Sequence, residues 1–342
     1  MTASRMLAEA RQAPERLAAS LAAEDAAYRD AGARIRAAAP HTLVTVARGT
    51  SDNAAEFLGR LAAERTGLIP ASLPPSLVTV ENAPLGFEGC LVVAISQSGG
   101  SPDLIAPVEA ARAGGALTVA LVNAPDSPLG RAAEIVLPVG AGEETAVAAT
   151  KSFVLSLAQA VRLVAAMAGD DALRARLDAL PATLEAALAL DWSAAVDALA
   201  GTGWMPVCGR GLGAAGAREL ALKLKETTGV AAEGFTAAEV MHGPRTLIGE
   251  TTPVLCLAPD DAARPSMESA MAELGTMTGR LIAVGRPAPG VDLALPLPDL
   301  ADPVHGVPAA MAAAYPFLDA LAARNGVSPD TPRHLEKVTR TL

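Results

Sequence analysis

The sequence predicts an α/β protein built from two tandem units, each a three-layer α/β/α sandwich around a parallel sheet. One reason is length, because 342 residues correspond to about two domains of ordinary size. From residue 41 onward, short runs of Val, Leu and Ile alternate with longer helical segments, which favours parallel strands buried on both faces. The same pattern then returns in the second half of the chain.

The elements follow in a regular order in the first half. Residues 1–40 are rich in alanine and predict one or two helices. Five apolar runs then predict strands: "TLVTVA", "SLVTV", "CLVVAIS", "LTVALV" and "EIVLPV". Helices are predicted over 52–66, over 102–114 and from about residue 150.

The second half repeats the first at a nearly constant offset. Arg210-Gly211 in "MPVCGRGLGAAGARE" stands where Arg48-Gly49 stands in "VTVARGTSDNAAE". "LVVAIS" and "GGALTVALV" return as "PVLCLA" and "TGRLIAVGR". We therefore predict a duplicated α/β unit. The predicted division is an N-terminal helical segment over 1–40, a first domain over 41–165, a helical linker over 166–200, a second domain over 201–325, and a tail over 326–342 that closes the site.

Composition disfavours several classes of partner. The net charge is −10 and the pI about 5.0, and aromatic residues make up 3% of the chain, so we expect neither nucleic acid nor an anionic membrane as partner. The N-terminus carries charges of both signs and no apolar signal sequence, and we expect no transmembrane helix. Cys90, Cys208 and Cys256 lie in or beside strand-like runs without CxxC spacing, as expected of buried, inert thiols in a reducing cytoplasm.

Two strand-to-helix junctions are dense in hydrogen-bond donors, "RGTSDN" at 48–53 and "SQSGGS" at 96–101. In an open α/β sheet, ligands bind beyond the carboxyl ends of the strands, where helix N-termini favour an anion. The residues that we expect to bind a phosphate are Thr50, Ser51, Ser96, Gln97, Ser98 and Ser101. The alternative is a pair of ordinary serine or aspartate N-caps. The equivalent second loop, "APDDAARPS", lacks the glycines and the clustered hydroxyls, so we expect no anion there. Neither first-copy loop has a nucleotide-binding pattern.

Three further stretches carry groups suited to acid–base chemistry. In "ELALKLKETTG", the spacing places Glu219, Lys223 and Glu226 on one helix face. These residues form either a solvated face with ion pairs or a carboxylate base tuned by a lysine. His242 precedes Gly-Pro and is predicted to lie on a loop, without metal-ligand spacing around it. Lys337 lies in the C-terminal tail, where a solvated charge is the ordinary interpretation.

Together these stretches resemble the sugar isomerase (SIS) double-domain family, and in particular the isomerase half of glucosamine-6-phosphate synthase. The resemblance covers roughly residues 40–342 and rests on "RGTS", "SQSGGS", "ETAVAATKSF", "ELALKLKE", "AEGFTAAEVMHGP" and "DTPRHLEKVT". It implies two flavodoxin-like domains, the first binding a sugar phosphate through the serine-rich loops. It also implies that Glu226 moves the proton between carbons 1 and 2, with Lys223 and Glu219 beside it. His242 is the implied ring-opening residue, supplied across a homodimer, and Lys337 meets the sugar carbonyl, either as a Schiff base or by polarising it.

The departures from the synthase pattern suggest a particular member of the family. The synthase carries an N-terminal glutaminase domain, whereas this chain begins with helical sequence and has no cysteine before Cys90. Gly100 and Ala149 stand where the synthase pattern has an acidic residue and a serine. The expectation is therefore a cytoplasmic glucosamine-6-phosphate deaminase of the second type, which releases ammonia and fructose 6-phosphate without a metal or cofactor. The alternatives are an isomerase or deaminase of another amino-sugar or ketosamine phosphate, a synthase-like isomerase that takes ammonia from elsewhere, and a sugar-phosphate-sensing module.

Overall fold

The computed structural model describes residues 3–23 and 25–337. The N-terminal helices are α1 (Arg5–Ala10), α2 (Ala13–Ala23) and α3 (Asp25–Ala38). The next elements are β1 (Thr42–Val46), α4 (Thr50–Thr66), β2 (Ile69–Ser72), α5 (Ser76–Thr79), β3 (Cys90–Ser96), α6 (Pro102–Ala113), β4 (Leu117–Val122), α7 (Pro128–Ala132) and β5 (Ile135–Pro138). The following helices are α8 (Lys151–Ala168), α9 (Asp171–Arg176), α10 (Leu180–Leu188) and α11 (Ser193–Leu199). The last elements are β6 (Trp204–Gly209), α12 (Gly213–Thr228), β7 (Ala231–Thr236), α13 (Ala237–Met241), β8 (Val254–Leu257), α14 (Arg264–Leu274), β9 (Leu281–Val284), β10 (Leu293–Leu295) and α15 (Gly306–Arg324).

The chain divides into two compact units, each with one parallel sheet. The first-sheet unit comprises residues 15–144 and 151–178 together with the start of the C-terminal tail from residue 336. The second-sheet unit comprises the residues up to Pro14, residues 145–150 and residues 179–335. These two units do not test the domain boundaries predicted from the sequence, which remain predictions.

The two sheets have the same strand order, which confirms the predicted fold class and the duplication. The first sheet runs β2-β1-β3-β4-β5 and the second runs β7-β6-β8-β9-β10 when read from the same edge. All strand pairs are parallel. This is the flavodoxin-like order, in which the chain changes direction across the sheet between its first and third strands.

Side chains of each central strand alternate between two helical layers, as the period of two requires. In the first-sheet unit, Val92 and Ala94 of β3 pack in a core with Leu104 and Val108 of α6. Helices α4 and α8 pack together, and the alternate β3 residues are buried as well. The result is a helix–sheet–helix sandwich with both faces of the sheet covered.

The second strand of the first unit is not where the sequence predicts it. "SLVTV" forms the short helix α5 at Ser76–Thr79, followed by Val80, and the strand is Ile69–Ser72 instead. All four residues of β2 are exposed and one of them is Pro70. A strand at the sheet edge does not need an apolar run and tolerates proline, so β2 carries no hydrophobic signal, whereas the apolar α5 does.

Within residues 3–23 and 25–337, two helices are long and apolar enough to cross a membrane, and both are mostly buried inside the protein. Lys151–Ala168 has a mean hydropathy of 1.3 and is 89% buried, and Pro303–Arg324 has 1.2 and is 78% buried. Helices buried to this extent belong to the core, because a parallel sheet is covered by apolar helices on both faces.

The cysteines are free and buried, as the sequence predicts. Cys208 and Cys256 lie opposite each other on β6 and β8. The pKa of the Cys256 thiol is raised well above its usual value, mainly by the hydrogen bond with Cys208 and secondly by burial. Such a thiol stays protonated and unreactive at neutral pH.

Candidate active site

In the loop after β3, serine side chains accept hydrogen bonds from backbone N–H groups of the same loop. The Gly99 N–H donates to Ser96 Oγ at 3.0 Å, and the Gly100 N–H donates to Ser98 Oγ at 3.3 Å. Gly99 adopts a φ of +61°, a conformation that glycine reaches without the cost paid by other residues. Two of the loop's N–H groups are therefore already bonded, and the hydroxyl protons of Ser96 and Ser98 remain as donors.

Ser101 bears on the alternative between a capped turn and a loop that binds an anion. It occupies the N-cap position of α6, yet its side chain makes no capping hydrogen bond. Within residues 3–23 and 25–337, the side chains of Ser101, Gln97 and Ser51 have no hydrogen-bond partner. These polar groups are thus available to a ligand instead of being used by the helix ends.

The second donor loop follows β1, the strand that pairs with β3. Both loops therefore lie at the position where ligands bind in this topology, beyond adjacent strands whose connections run to opposite sides. The α4 N-cap is Gly49 with a φ of +54° and no side-chain cap, and Thr50 is the first residue of the helix. An ion pair between Arg48 and Asp103 connects the two loops.

Helix α12 carries three charged side chains, of which two are buried and one is partly buried. The side chains of Glu219, Lys223 and Glu226 are 0%, 1% and 19% exposed. Lys223 Nζ lies 3.6 Å from Glu219 Oε1 and forms an ion pair and hydrogen bond with Glu226 Oε2. The predicted face is confirmed as a cluster, and it is not a solvated face. Buried charges of this kind are costly unless paired, and Glu226 is the member that retains contact with solvent.

His242 caps the end of α13 and is exposed. That helix begins with a capping box in which Thr236 Oγ1 accepts from the Glu239 N–H and Glu239 accepts from the Thr236 N–H. The structure gives the His242 ring no hydrogen bond to any described residue. Its backbone N–H donates to Glu239 O at 3.0 Å. The imidazole is therefore free to contact a ligand or a second subunit.

Lys337 is held by a buried carboxylate. Its Nζ donates to Glu144 Oε2 at 3.2 Å, and the Glu144 side chain is 0% exposed. Glu144 also accepts from Ser152 N at 3.1 Å and Ser152 Oγ at 2.6 Å at the start of α8. The tail lysine is therefore anchored, and it is not the solvated charge that its sequence position suggests.

In the structure, the predicted site residues thus lie in several separate groups. Within the first-sheet unit, the serine-rich loops are neighbours and Lys337 lies on Glu144; within the second-sheet unit, Glu219, Lys223 and Glu226 form one cluster. No contact of His242 with that cluster appears among the described residues. Sequence reasoning missed Asp103 and Glu144, although both lie in or next to motifs that it singled out.

Comparison with known proteins gives the family to which this duplicated fold belongs. The SIS domain model matches residues 38–166 and 205–284. The chain belongs to the SIS-domain family of sugar-phosphate isomerases, with one SIS region in each half.

Individual relatives agree with this assignment. The chain is 33% identical over 85% of its length to glutamine–fructose-6-phosphate aminotransferase (isomerizing) of Zymomonas mobilis, of which it spans 51%. A candidate phosphosugar isomerase from Silicibacter pomeroyi DSS-3 has a similar structure, with a TM-score of 0.88, 36% identity and coverage of 96% of this chain and 100% of that one. The C-terminal domain of the aminotransferase of Francisella tularensis gives a TM-score of 0.85 at 23% identity, covering 96% and 98%. The chain therefore spans about half the length of the curated relatives that it matches.

The expectation of a glucosamine-6-phosphate deaminase is wrong. The curated relatives at 31–33% identity bear the name of the aminotransferase. The expectation depended in part on Gly100. Gly100 is exposed, and a Cβ there would meet only Ser98 Oγ, at 3.9 Å. Packing therefore does not require glycine at this position.

Proposed function

We propose that this chain is a synthase-like isomerase, which converts fructose 6-phosphate and ammonia into glucosamine 6-phosphate. Membership of the SIS family and the names of the curated relatives support fructose 6-phosphate as substrate. The observation that carries the proposal is the buried cluster on α12, because it presents one partly exposed carboxylate beside a lysine. A positioned carboxylate is what proton transfer between neighbouring carbons requires.

The proposed reaction begins with the imine that ammonia forms at carbon 2 of the open-chain ketose. Glu226 removes a proton from carbon 1 to give an enolamine and returns a proton at carbon 2. Carbon 1 becomes the aldehyde and carbon 2 carries the amine. Lys223 orients the Glu226 carboxylate through its ion pair, and Glu219 fixes Lys223 from the other side.

The remaining residues have proposed roles in binding and ring opening. The hydroxyls of Ser51, Ser98 and Ser101 bind the phosphate, together with Thr50, Ser96 and Gln97. His242 opens the sugar ring, and its exposed, unbonded ring suits donation to a second copy of the chain. Lys337 contacts the sugar carbonyl after leaving Glu144. Light scattering coupled to size-exclusion chromatography tests the proposed homodimer.

The proposal is tested by solvent-deuterium exchange, followed by NMR on fructose 6-phosphate with and without ammonia. We expect deuterium at carbon 1 or 2 and net formation of glucosamine 6-phosphate. Glu226→Gln should bind the sugar phosphate but lose exchange by orders of magnitude, whereas Lys225→Gln on the exposed side of the same helix should match the wild type.

Three outcomes would contradict the proposal. Exchange in Glu226→Gln at the wild-type rate removes that residue as the base. Binding without exchange in the wild type indicates a sensing module. Net ammonia release at physiological substrate concentrations, with no synthesis from added ammonia, contradicts the proposed direction.

A further inference from the structure

An exposed arginine follows β1 and is held by a buried carboxylate. Arg48 Nε donates to Asp103 Oδ2 at 3.0 Å, and the two side chains are 55% and 1% exposed. Asp103 lies in the first turn of α6, two residues after Ser101. The ion pair therefore places the guanidinium beside the serine-rich loop and at the start of that helix.

The contact with Asp103 uses only one side of the guanidinium. Nε is the donor, and the two terminal nitrogens of Arg48 have no hydrogen-bond partner within residues 3–23 and 25–337. Arginine has five N–H donors in a planar fork that matches the oxygens of a phosphate. An arginine fixed through Nε, with a side chain that is largely exposed, is arranged to receive such a group.

The neighbouring polar groups point to the same kind of ligand. The Ser51 N–H donates to the Arg48 carbonyl at 3.1 Å, so the two residues share one turn. Ser51, Gln97 and Ser101 also have side chains without partners in the described part of the chain. Together with these neutral donors, the charged guanidinium offers a phosphate charge-assisted hydrogen bonds, which are stronger than bonds from neutral donors.

The second copy of the fold provides an internal comparison. Arg210 occupies the position of Arg48, after β6, and it makes no ion pair among the described residues. The second residue of α14, equivalent to Asp103, is Pro265. The arginine recurs in both copies, but the buried carboxylate occurs only in the copy with the serine-rich loop. The fold itself therefore does not require the Arg48–Asp103 pair.

The geometry points to Arg48 as a phosphate-binding residue and to Asp103 as its positioning residue. The inference rests on the proposed function for the identity of the sugar phosphate, but not for the anion itself. Arg48 supplies a forked, charged donor to the phosphate oxygens, and Asp103 fixes the orientation of that fork. The group that Arg48 recognises is a phosphate monoester dianion, whichever sugar carries it.

Binding is measured by calorimetry with fructose 6-phosphate, with fructose and with inorganic phosphate. We expect Arg48→Gln to weaken fructose 6-phosphate binding by about 10- to 100-fold, the usual range for a charge-assisted bidentate contact, and to weaken inorganic phosphate binding in parallel. Arg48→Lys should recover part of the loss, because it retains the charge without the fork. Arg210→Gln is the matched control and should bind as the wild type does.

Kinetics separate positioning from structural damage. Asp103→Asn should raise KM with little change in kcat, since it misorients a residue that touches the phosphate and not the reacting carbons. Wild-type affinity in Arg48→Gln, or equal losses in Arg48→Gln and Arg210→Gln, overturns the inference. If Arg48→Gln does not fold, unchanged affinity in Arg48→Lys overturns it instead. Phosphate binding that depends on Arg48, in a protein without isomerase activity, would uphold this inference while the proposed function fails.

Discussion

Replacing Gly99 by alanine should damage both the stability of the first-sheet unit and its affinity for sugar phosphates. The residue has a φ of +61°, and an added Cβ would lie 2.6 Å from Ser127 Cβ and 2.9 Å from Val122 Cγ2. Neither neighbour can move freely, because Val122 ends a central strand and Ser127 Oγ accepts from the Gly130 N–H as the α7 N-cap.

The magnitude follows from three contributions. The left-handed conformation costs alanine about 1–2 kcal/mol, overpacking about 1–3 kcal/mol, and loss of the serine cap about 1 kcal/mol. Because these effects are not fully additive, we expect a loss of about 2–5 kcal/mol. For a unit of this size the melting temperature should fall by about 5–15 °C.

Thermal unfolding followed by circular dichroism, together with calorimetric titration with fructose 6-phosphate, measures both effects. Gly100→Ala is the control, since its φ is not positive and its Cβ would make only an ordinary contact with Ser98 Oγ at 3.9 Å. A Gly99→Ala protein that melts within about 1 °C of the wild type and binds as tightly would refute the structural reasoning. So would equal damage from the two substitutions.

Three other predictions concern buried charge and thiol chemistry. Lys223→Met should lower the free energy of unfolding by about 3–5 kcal/mol, because Glu219 is left buried without its ammonium partner; an unchanged chemical-denaturation curve contradicts this. The pKa of Asp25 is lowered, chiefly by its hydrogen bond from Arg174, so it stabilises the folded state above its unfolded pKa and the stabilisation is lost as pH falls through the lower folded pKa. The difference in melting temperature between wild type and Asp25→Asn should therefore shrink as the pH falls below about 4, and a constant difference would show that the carboxylate charge is irrelevant. Cys256 should not react with a thiol reagent in the folded protein at pH 8 but should react in denaturant, and modification at equal rates in both states would contradict its raised pKa.

Most of the sheet could be predicted from the sequence because its central strands are buried on both faces. β3 and β4 are continuous apolar runs, and their recurrence as β8 and β9 revealed the duplication. β2 could not be predicted in this way, since an exposed edge strand containing Pro70 needs no apolar side chain. The second strand was therefore predicted at the nearby apolar segment that forms α5.

The candidate site also contains some contacts that the sequence predicts and others that it does not. Glu219, Lys223 and Glu226 are four and three residues apart on one helix, so local periodicity predicts that they meet. Arg48 and Asp103 are 55 residues apart and meet only because β1 and β3 are neighbours in the sheet. The choice between a serine cap and a free hydroxyl at Ser101 depends on a side-chain direction that sequence does not specify.

The bonds that Ser96 and Ser98 accept within their own loop bear on the kinetics of binding. The loop holds its shape through internal contacts, Gly99 N–H to Ser96 Oγ and Gly100 N–H to Ser98 Oγ, so that shape does not depend on a ligand. A preformed loop spares an incoming ligand the entropy of ordering it. Association of different phosphate esters should then proceed at similar rates, and discrimination among them should appear in how long each one stays bound.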